Sequence, residues 1–130
     1  MSLTISAATL VVDDYDRAIG FYRDVLGLTL IADTPLGGGK RWVLVGGAGG
    51  ARLLLARAAG AEQSAAIGNQ TGGRVGFFLE TTDFERDHAR LVAAGVTFLE
   101  APRHEAYGSV AVFVDVYGNK WDLIEPKTAA

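Results

Sequence analysis

The spacing of apolar residues in the first third of the chain predicts a strand followed by an amphipathic helix. Residues 4–12 are rich in apolar and β-branched side chains, which is typical of a strand buried on at least one face. Asp13 or Asp14 can then cap the first turn of a helix. Beyond them, apolar residues recur with the helical period at Ala18, Phe21, Tyr22 and Val25. Gly27 suits the left-handed position that ends a helix.

Three further strand-like runs complete this half of the chain, and turns rich in glycine or proline separate them. The runs are residues 28–33, 41–45 and 52–56. Together with the first strand and helix they predict a module of order β-α-β-β-β. The glycine cluster at residues 46–50 joins two strands, so we interpret it as a hairpin loop. A phosphate-binding loop would instead lead into the N-terminus of a helix.

The second half of the chain repeats this pattern. A strand is predicted at residues 74–80, a helix follows, and three strands are predicted at residues 96–100, 109–114 and 120–124. Thr82 and Glu85 have the spacing of a capping box, Gly95 suits the end of the helix, and Gly118 with Asn119 predicts a tight hairpin turn.

The predicted fold class is therefore α+β, with two tandem βαβββ modules that form curved mixed sheets around a trough. The modules span residues 4–56 and 74–126. Residues 57–73, rich in glycine and polar side chains, form a connector, and residues 1–130 form one domain. Duplicated modules generally complete each other's core and place a binding site where they meet.

Composition excludes several classes of function. The chain has 130 residues and a formal charge of -3, with no basic cluster that would bind the phosphates of nucleic acid. It contains no cysteine, so disulfides, thiolate metal sites and cysteine nucleophiles are excluded. No apolar run reaches the roughly 20 residues of a membrane span, and no signal peptide is recognised. We expect a cytoplasmic protein without membrane or nucleic-acid partners.

Two pairs of spaced motifs resemble one protein family. Residues 12–22 (VDDYDRAIGFY) and 25–28 (VLGL) resemble the first module of the vicinal oxygen chelate superfamily, and residues 93–96 (AAGV) and 113–123 (FVDVYGNKWDL) resemble its second. That superfamily includes glyoxalase I, bleomycin-resistance proteins, fosfomycin-resistance thiol transferases and extradiol dioxygenases. The resemblance covers about residues 4–125 and implies the fold described above. It does not select one activity, because this fold carries several. We also expect a homodimer.

Metal-dependent members of that superfamily hold a divalent ion with His, Gln or Glu side chains from both modules. The resemblance implies that the corresponding positions are Ala7, a residue within 52–56, Gly76 and Asp122. Only Asp122 offers a ligand atom, since Leu53, Leu54 and Leu55 are apolar. One carboxylate cannot supply the three or four ligands such a site needs. We therefore predict no family metal and no cofactor.

Asp122 with His104 and Glu105 is an alternative, improvised site, and these three residues are the weak catalytic candidates. His104 and Glu105 lie in a predicted loop, residues 102–107, that could overhang the trough. His88 falls on the apolar stripe of the second helix, where packing is the simpler interpretation. An unpaired Asp122 in apolar surroundings would have a raised pKa and could act as a general base.

Strand alternation predicts which side chains line the trough. An aromatic wall with a few carboxylates suits a flat or cationic organic ligand, although ordinary core packing explains the aromatic residues equally well. Either Trp42 or its neighbour Arg41 points inward. The predicted ligand-binding residues are Ala7, Thr9, Trp42, Gly76, Phe78, Glu80, Tyr107 and Asp122.

Asp122 also has a structural interpretation, in which it pairs with Arg74, Arg41 or Lys120 and holds the two halves together, since buried charges are costly unless paired. The favoured function is binding of a small organic ligand without the family metal. The alternative is a glyoxalase-type lyase, isomerase or dioxygenase with a divergent metal site around Asp122. A third hypothesis is a subunit whose trough serves another chain.

Overall fold

Two mixed β-sheets, each with a helix on one face, make up the computed structural model, which describes residues 2–127. The first compact unit ends at Gln70 and the second begins at Thr71. The predicted β-α-β-β-β order is present in each unit, with one additional helix after it in the first unit and one additional short strand within it in the second. That residues 1–130 form one domain stays a prediction. None of the helices within residues 2–127 is long and apolar enough to cross a lipid bilayer.

The first unit contains a four-stranded sheet of order β1-β4-β3-β2. Strand β1 runs parallel to β4, and the other pairs are antiparallel. Its elements are β1 (Ala8–Val12), α1 (Tyr15–Ile19), a π-helical segment (Gly20–Val25), β2 (Thr29–Gly37), β3 (Lys40–Gly46), β4 (Arg52–Arg57) and α2 (Gly60–Ala66). Helix α1 contacts β3 and β4. Fully buried Leu10, Tyr22, Val43 and Leu55 form the core between helix and sheet.

The second unit contains a sheet of order β5-β9-β8-β6, with β7 also paired to β8. Its elements are β5 (Val75–Glu80), α3 (Phe84–Ala93), β6 (Thr97–Phe98), β7 (Arg103–Glu105), β8 (Gly108–Val114) and β9 (Lys120–Pro126). Trp121 stacks between Phe77 and Phe113, with ring centroids 4.9 and 5.8 Å away. Burying one such aromatic side chain stabilises a fold by about 1.5–3 kcal/mol. This stack therefore anchors β9 at the centre of the sheet.

The first strand and helix differ from the sequence prediction. Strand β1 begins at Ala8 rather than residue 4. The predicted single helix is α-helical only to Ile19 and then becomes π-helical from Gly20 to Val25. The Leu26 amide accordingly donates to the Phe21 carbonyl, five residues earlier, at 2.9 Å. Short π-helical turns of this kind interrupt helices without breaking them.

The N-terminus of the first helix confirms one predicted N-cap, and that of α3 shows that another prediction is wrong. The Asp14 carboxylate accepts from the Arg17 amide at 2.8 Å, as predicted. The capping box at Thr82 and Glu85 is wrong, because α3 begins one residue later. Its N-cap is Asp83, whose Oδ1 accepts from the Arg86 amide at 3.1 Å.

Two segments predicted as loops contain regular structure. The connector predicted at residues 57–73 includes the seven-residue helix α2, which has no buried residue and hence no apolar stripe to reveal it. The loop predicted at residues 102–107 includes strand β7, which is only three residues long and pairs with β8. Sequence periodicity is uninformative over such short stretches.

The hairpin between β8 and β9 turns at Val116 and Tyr117, where the Gly118 amide donates to the Asp115 carbonyl at 3.0 Å, so the tight turn predicted at Gly118 and Asn119 is wrong. Gly118 has a φ of 96°, a conformation that L side chains rarely adopt. Buried Asp115 accepts hydrogen bonds from both amide groups of Asn119, backbone at 2.9 Å and side chain at 3.0 Å. It also accepts from Trp121 Nε1 at 3.0 Å. These bonds set the register at which β9 begins.

Candidate functional site

Asp122 and Phe78 lie side by side on the sheet face opposite the aromatic core of the second unit. Asp122 pairs in register with Phe78 of β5 and Val112 of β8, and paired residues share a face. Trp121, the preceding residue, points into the core, so alternation directs Asp122 to the other face. The Phe78 ring is 65% exposed. The sheet therefore presents an open aromatic surface beside a carboxylate.

The Asp122 carboxylate is sheltered and incompletely satisfied. Its Oδ1 is buried and has no hydrogen-bond partner among residues 2–127. Burial raises the pKa of Asp122 above the usual aspartate range; the Arg103 charge opposes this rise, and the Glu100 charge adds to it. A buried acceptor without a partner costs roughly 1–3 kcal/mol, which a ligand with a donor group would recover.

Arg103 is held beside this face by other groups. Its Nε lies 3.0 and 3.2 Å from the two carboxylate oxygens of Glu100, and its Nη1 lies 3.3 Å from Glu105 Oε1. Glu100 and then the Tyr107 hydroxyl raise the pKa of Arg103 by accepting hydrogen bonds from it. Glu100 Oε2 also accepts from the Val112 amide at 3.0 Å. The guanidinium is thus committed to neighbouring carboxylates and lends Asp122 only a longer-range attraction.

The structure does not support the predicted ion pair between Asp122 and Arg41. That side chain pairs with Asp33 at 2.7 Å and Asp16 at 2.9 Å, inside the first unit. Within residues 2–127, Oδ1 of Asp122 has no hydrogen bond to Arg74 or Lys120 either.

His104 and Asp122 point to opposite faces of the same sheet. His104 pairs in register with Ser109, whereas Asp122 pairs with Val112, and these two β8 positions alternate. The His104 Nδ1 lies 2.8 Å from Ser109 Oγ. The improvised site of Asp122, His104 and Glu105 is therefore not assembled. Glu105 shares the Asp122 face by alternation, but it is bonded to Arg103.

His88 occupies a packing position. Its ring centroid lies 4.4 Å from that of Phe98 and 5.6 Å from that of Phe84. This arrangement agrees with the interpretation of His88 as part of the apolar stripe of α3.

The residues present do not fit a superfamily-type divalent metal. Ala7 and Gly76 carry no ligand atom, and the exposed Asp122 face offers no histidine. Among residues 2–127 no group of three or more His, Cys, Asp or Glu side chains is placed to hold an ion. Chemically, the face can instead accept a hydrogen bond at Asp122 and stack an aromatic ring on Phe78.

Trp42 and Arg41 divide between the two faces of the first sheet. Arg41 lies on the helix side, with its guanidinium 5.1 Å from the centre of the Tyr15 ring. Alternation places Trp42 on the opposite face, where it is 44% exposed. Thr9 shares that face, since it pairs with Leu54, which pairs with Leu44. Ala7 lies just before β1.

Gln70 completes the free edge of β1 and was missed by sequence reasoning. Its side-chain Oε1 accepts from the Val11 amide and its Nε2 donates to the Thr9 carbonyl, both at 2.9 Å. A single amide thus replaces the peptide group of a neighbouring strand. No sequence signal marks it, because glutamine is common in connectors. Sequence reasoning also missed Glu100 and Arg103, because only their contacts with β8 bring them beside Asp122.

Comparison with known proteins agrees with this architecture. The sequence model of the Glyoxalase/Bleomycin resistance protein/Dioxygenase superfamily matches residues 4–123. An uncharacterized protein of Shewanella frigidimarina (strain NCIMB 400) is 50% identical over 128 residues, which cover 96% of this chain and 95% of the relative.

Two solved structures are also similar. UcmS2 has a TM-score of 0.80 and 29% identity, covering 95% of this chain and 98% of its own. TnmS3, described as an antibiotic binding protein from Streptomyces sp. CB03234, has a TM-score of 0.75 and 30% identity, covering 98% and 99%. The fold class predicted from the sequence is confirmed.

Proposed function

Because this chain belongs to the Glyoxalase/Bleomycin resistance protein/Dioxygenase superfamily, we propose that it binds a flat aromatic small molecule without the metal ion that the enzymes of the superfamily use. The ligand stacks on Phe78 and donates a hydrogen bond to Asp122. The observation that carries the proposal is the buried Oδ1 of Asp122, without a partner among residues 2–127, next to an exposed ring.

The chemistry of the face defines the ligand class. An aromatic ring that stacks on Phe78 leaves its edge beside the Asp122 carboxylate, and rotation of that carboxylate brings the buried Oδ1 to an amino or hydroxyl substituent. A cationic substituent gains further from an ionised Asp122. An anionic one meets Asp122, Glu100 and Glu105 together and is disfavoured.

The relatives support a binding protein. TnmS3 is described as an antibiotic binding protein, and the present chain is 30% identical to it over nearly its whole length. We propose that the present protein likewise binds an antibiotic-like aromatic compound. The cytoplasmic location and the homodimer expected from the sequence complete the proposal. The roles of Ala7, Thr9 and Trp42 in the ligand site stay predictions.

The proposal is tested with fluorescent aromatic amines. We would titrate 9-aminoacridine, proflavine and doxorubicin into the purified protein and follow fluorescence, with acridine-9-carboxylate as the anionic control. The amines are expected to bind, and the anion is expected to bind more weakly. Asp122→Asn is expected to weaken amine binding by about tenfold, since hydrogen bonds to charged groups contribute about 1.5–3 kcal/mol. Phe78→Ala removes the stacking surface and should weaken all the aromatic probes.

Glu62→Gln is the matched control, because Glu62 is an exposed acidic residue of α2 in the first unit. Its affinities should equal those of the wild type. Equal affinities in wild type, Asp122→Asn and Phe78→Ala would contradict this site. One equivalent of tightly bound transition metal in protein purified without chelators would contradict the metal-independent function.

A further inference from the structure

Gly76 lies at an irregular point in strand β5. Val75 pairs with Lys120 and Phe77 pairs with Trp121, so β5 advances two residues while β9 advances one. Gly76 is the extra residue of this β-bulge and faces no residue of β9. Bulges bend a strand and redirect side chains, and they recur beside functional sites. This bulge lies two residues before the exposed ring of Phe78.

The Thr71 methyl group fills the space that a side chain at position 76 would occupy. A Cβ atom built on Gly76 would lie 2.5 Å from Thr71 Cγ2, closer than real Cβ contacts allow, but 3.4 Å from Thr71 Cβ and Oγ1. The conflict therefore involves the methyl group alone. Any side chain at position 76, including a metal-binding histidine, requires Thr71 to move.

A hydrogen bond locks that methyl group in place. Thr71 Oγ1 donates to the Arg74 carbonyl at 2.7 Å. Since the hydroxyl and the methyl group share the Cβ atom, fixing Oγ1 also fixes Cγ2. Thr71 is itself an exposed residue. At the Gly76 end of β5, the strand is therefore covered by the Thr71 methyl group, which is held in one rotamer.

We infer that Thr71 is a specificity-determining residue, whose methyl group limits the thickness of the ligand that can lie along β5 from Phe78 toward Gly76. The inference rests on the proposed function, because it describes one end of the same ligand site. Two residues of a strand span about 7 Å, so a fused three-ring ligand on Phe78 reaches this end. Planar rings pass the methyl group, and partly saturated rings, which are thicker, meet it.

The test compares two probes that differ in thickness. 9-Aminoacridine is planar, whereas tacrine carries the same amino group on a ring system with one saturated ring. The wild type is expected to prefer 9-aminoacridine. Thr71→Ser removes only Cγ2 and keeps the hydroxyl for Arg74, so it should shift the affinity ratio toward tacrine by about tenfold, the scale of one methyl-sized difference in a pocket.

Thr71→Val is the matched control, because it loses the hydroxyl but carries a methyl group at both γ positions, so that one of them still covers Gly76. It should retain the wild-type preference. An unchanged ratio in Thr71→Ser, with binding still dependent on Asp122, would overturn the inference and leave the proposed function standing. Absence of binding by both probes to the wild type would contradict the proposed function and this inference with it.

A stability measurement checks the contact without any ligand. Gly76→Ala is expected to lower the melting temperature, because its Cβ meets the Thr71 methyl group. Adding Thr71→Ser to Gly76→Ala removes the clashing atom and should restore most of the loss. A double variant as unstable as the sum of the two single variants would show that the contact does not exist in solution, which overturns the inference.

Discussion

Asp115 Oδ2 accepts the indole Nε1–H of Trp121 at 3.0 Å, and this buried bond joins the turn after β8 to the central aromatic stack of the second unit. The Asp115 carboxylate also receives the Tyr117 and Asn119 amides, each at 2.9 Å. One buried carboxylate therefore organises the turn and sets the register of β9. Asp122 follows one residue after Trp121, so the candidate site depends on this turn.

Replacing Asp115 should destabilise the fold. In Asp115→Asn an amide nitrogen replaces one acceptor oxygen and faces donors, which leaves buried groups unpaired at a cost of about 1–3 kcal/mol. Chemical denaturation measures the change. Asp13→Asn is the control, because its ion pair with Arg17 is about half exposed (50% and 41%) and should contribute less than about 1 kcal/mol. Equal stabilities of the two variants would contradict this assignment.

The start of α3 gives a second prediction. Asp83→Ala removes the N-cap acceptor of the Arg86 amide and should cost about 1 kcal/mol of unfolding free energy. Thr82→Ala should change stability much less, because no hydrogen bond of the Thr82 side chain is seen in the described part of the chain. A larger loss of unfolding free energy in Thr82→Ala than in Asp83→Ala would contradict this assignment and support the capping box predicted from the sequence.

The raised pKa of Asp122 should be detectable in the pH dependence of stability. Its pKa is raised in the folded protein, mainly by burial, so the unfolded chain ionises at lower pH. The contribution of Asp122 to stability is then greatest below the ordinary aspartate range and is lost as the pH rises through the folded pKa. Asp122→Asn removes this loss. The variant should gain melting temperature relative to wild type between acidic and neutral pH.

Asp87 provides a control of opposite sign. Hydrogen bonds from Arg86 and Thr81 lower the pKa of Asp87. Its contribution to stability is present above the ordinary aspartate range and is lost as the pH falls through the folded pKa. Asp87→Asn should therefore lose melting temperature at neutral pH and match the wild type in acid. Parallel pH profiles for the two variants would be inconsistent with these environments.

The hydrogen bond between Gln70 and the Val11 amide predicts how fast that single amide exchanges with solvent. Gln70→Ala removes the acceptor for the Val11 amide, so that amide should exchange with deuterium at least about tenfold faster in NMR measurements. Amides of Leu10 and Val12 point toward β4 by alternation and should keep their rates. Gln63→Ala is the control, because Gln63 bonds only the nearby Ala59 amide among the contacts seen. Unchanged Val11 exchange would refute the edge contact.

The sequence predicted the parts of the fold that repeat and that have long periodic patterns. The apolar stripe from Ala18 to Val25 and the aspartate at position 14 located the first helix, and the repeated motifs located both modules. Helix α2 and strand β7 were not predicted, because neither is long enough or buried enough to produce a periodic pattern of apolar residues.

The candidate site was predictable only in part. Counting by two from Gly76 indicates the face of Phe78, and the pairing of β5 with β9 places Phe78 beside Asp122. The separation of His104 from Asp122 depends on the pairing of β7 with Ser109, which spacing alone does not reveal. The unpartnered Oδ1 and the Thr71 methyl group depend on side-chain geometry, which no residue pattern encodes.

The π-helical segment at Gly20–Val25 accounts for a difference in length between the helices of the two modules. The helix from Asp14 to Gly27 is one residue longer than its counterpart from Asp83 to Gly95. A π-helical turn takes up one additional residue, whereas an insertion in an ordinary helix would rotate everything after it by about 100°. The π-helical turn therefore accommodates the residue by which the first helix exceeds the second, and β2 keeps its direction relative to the core.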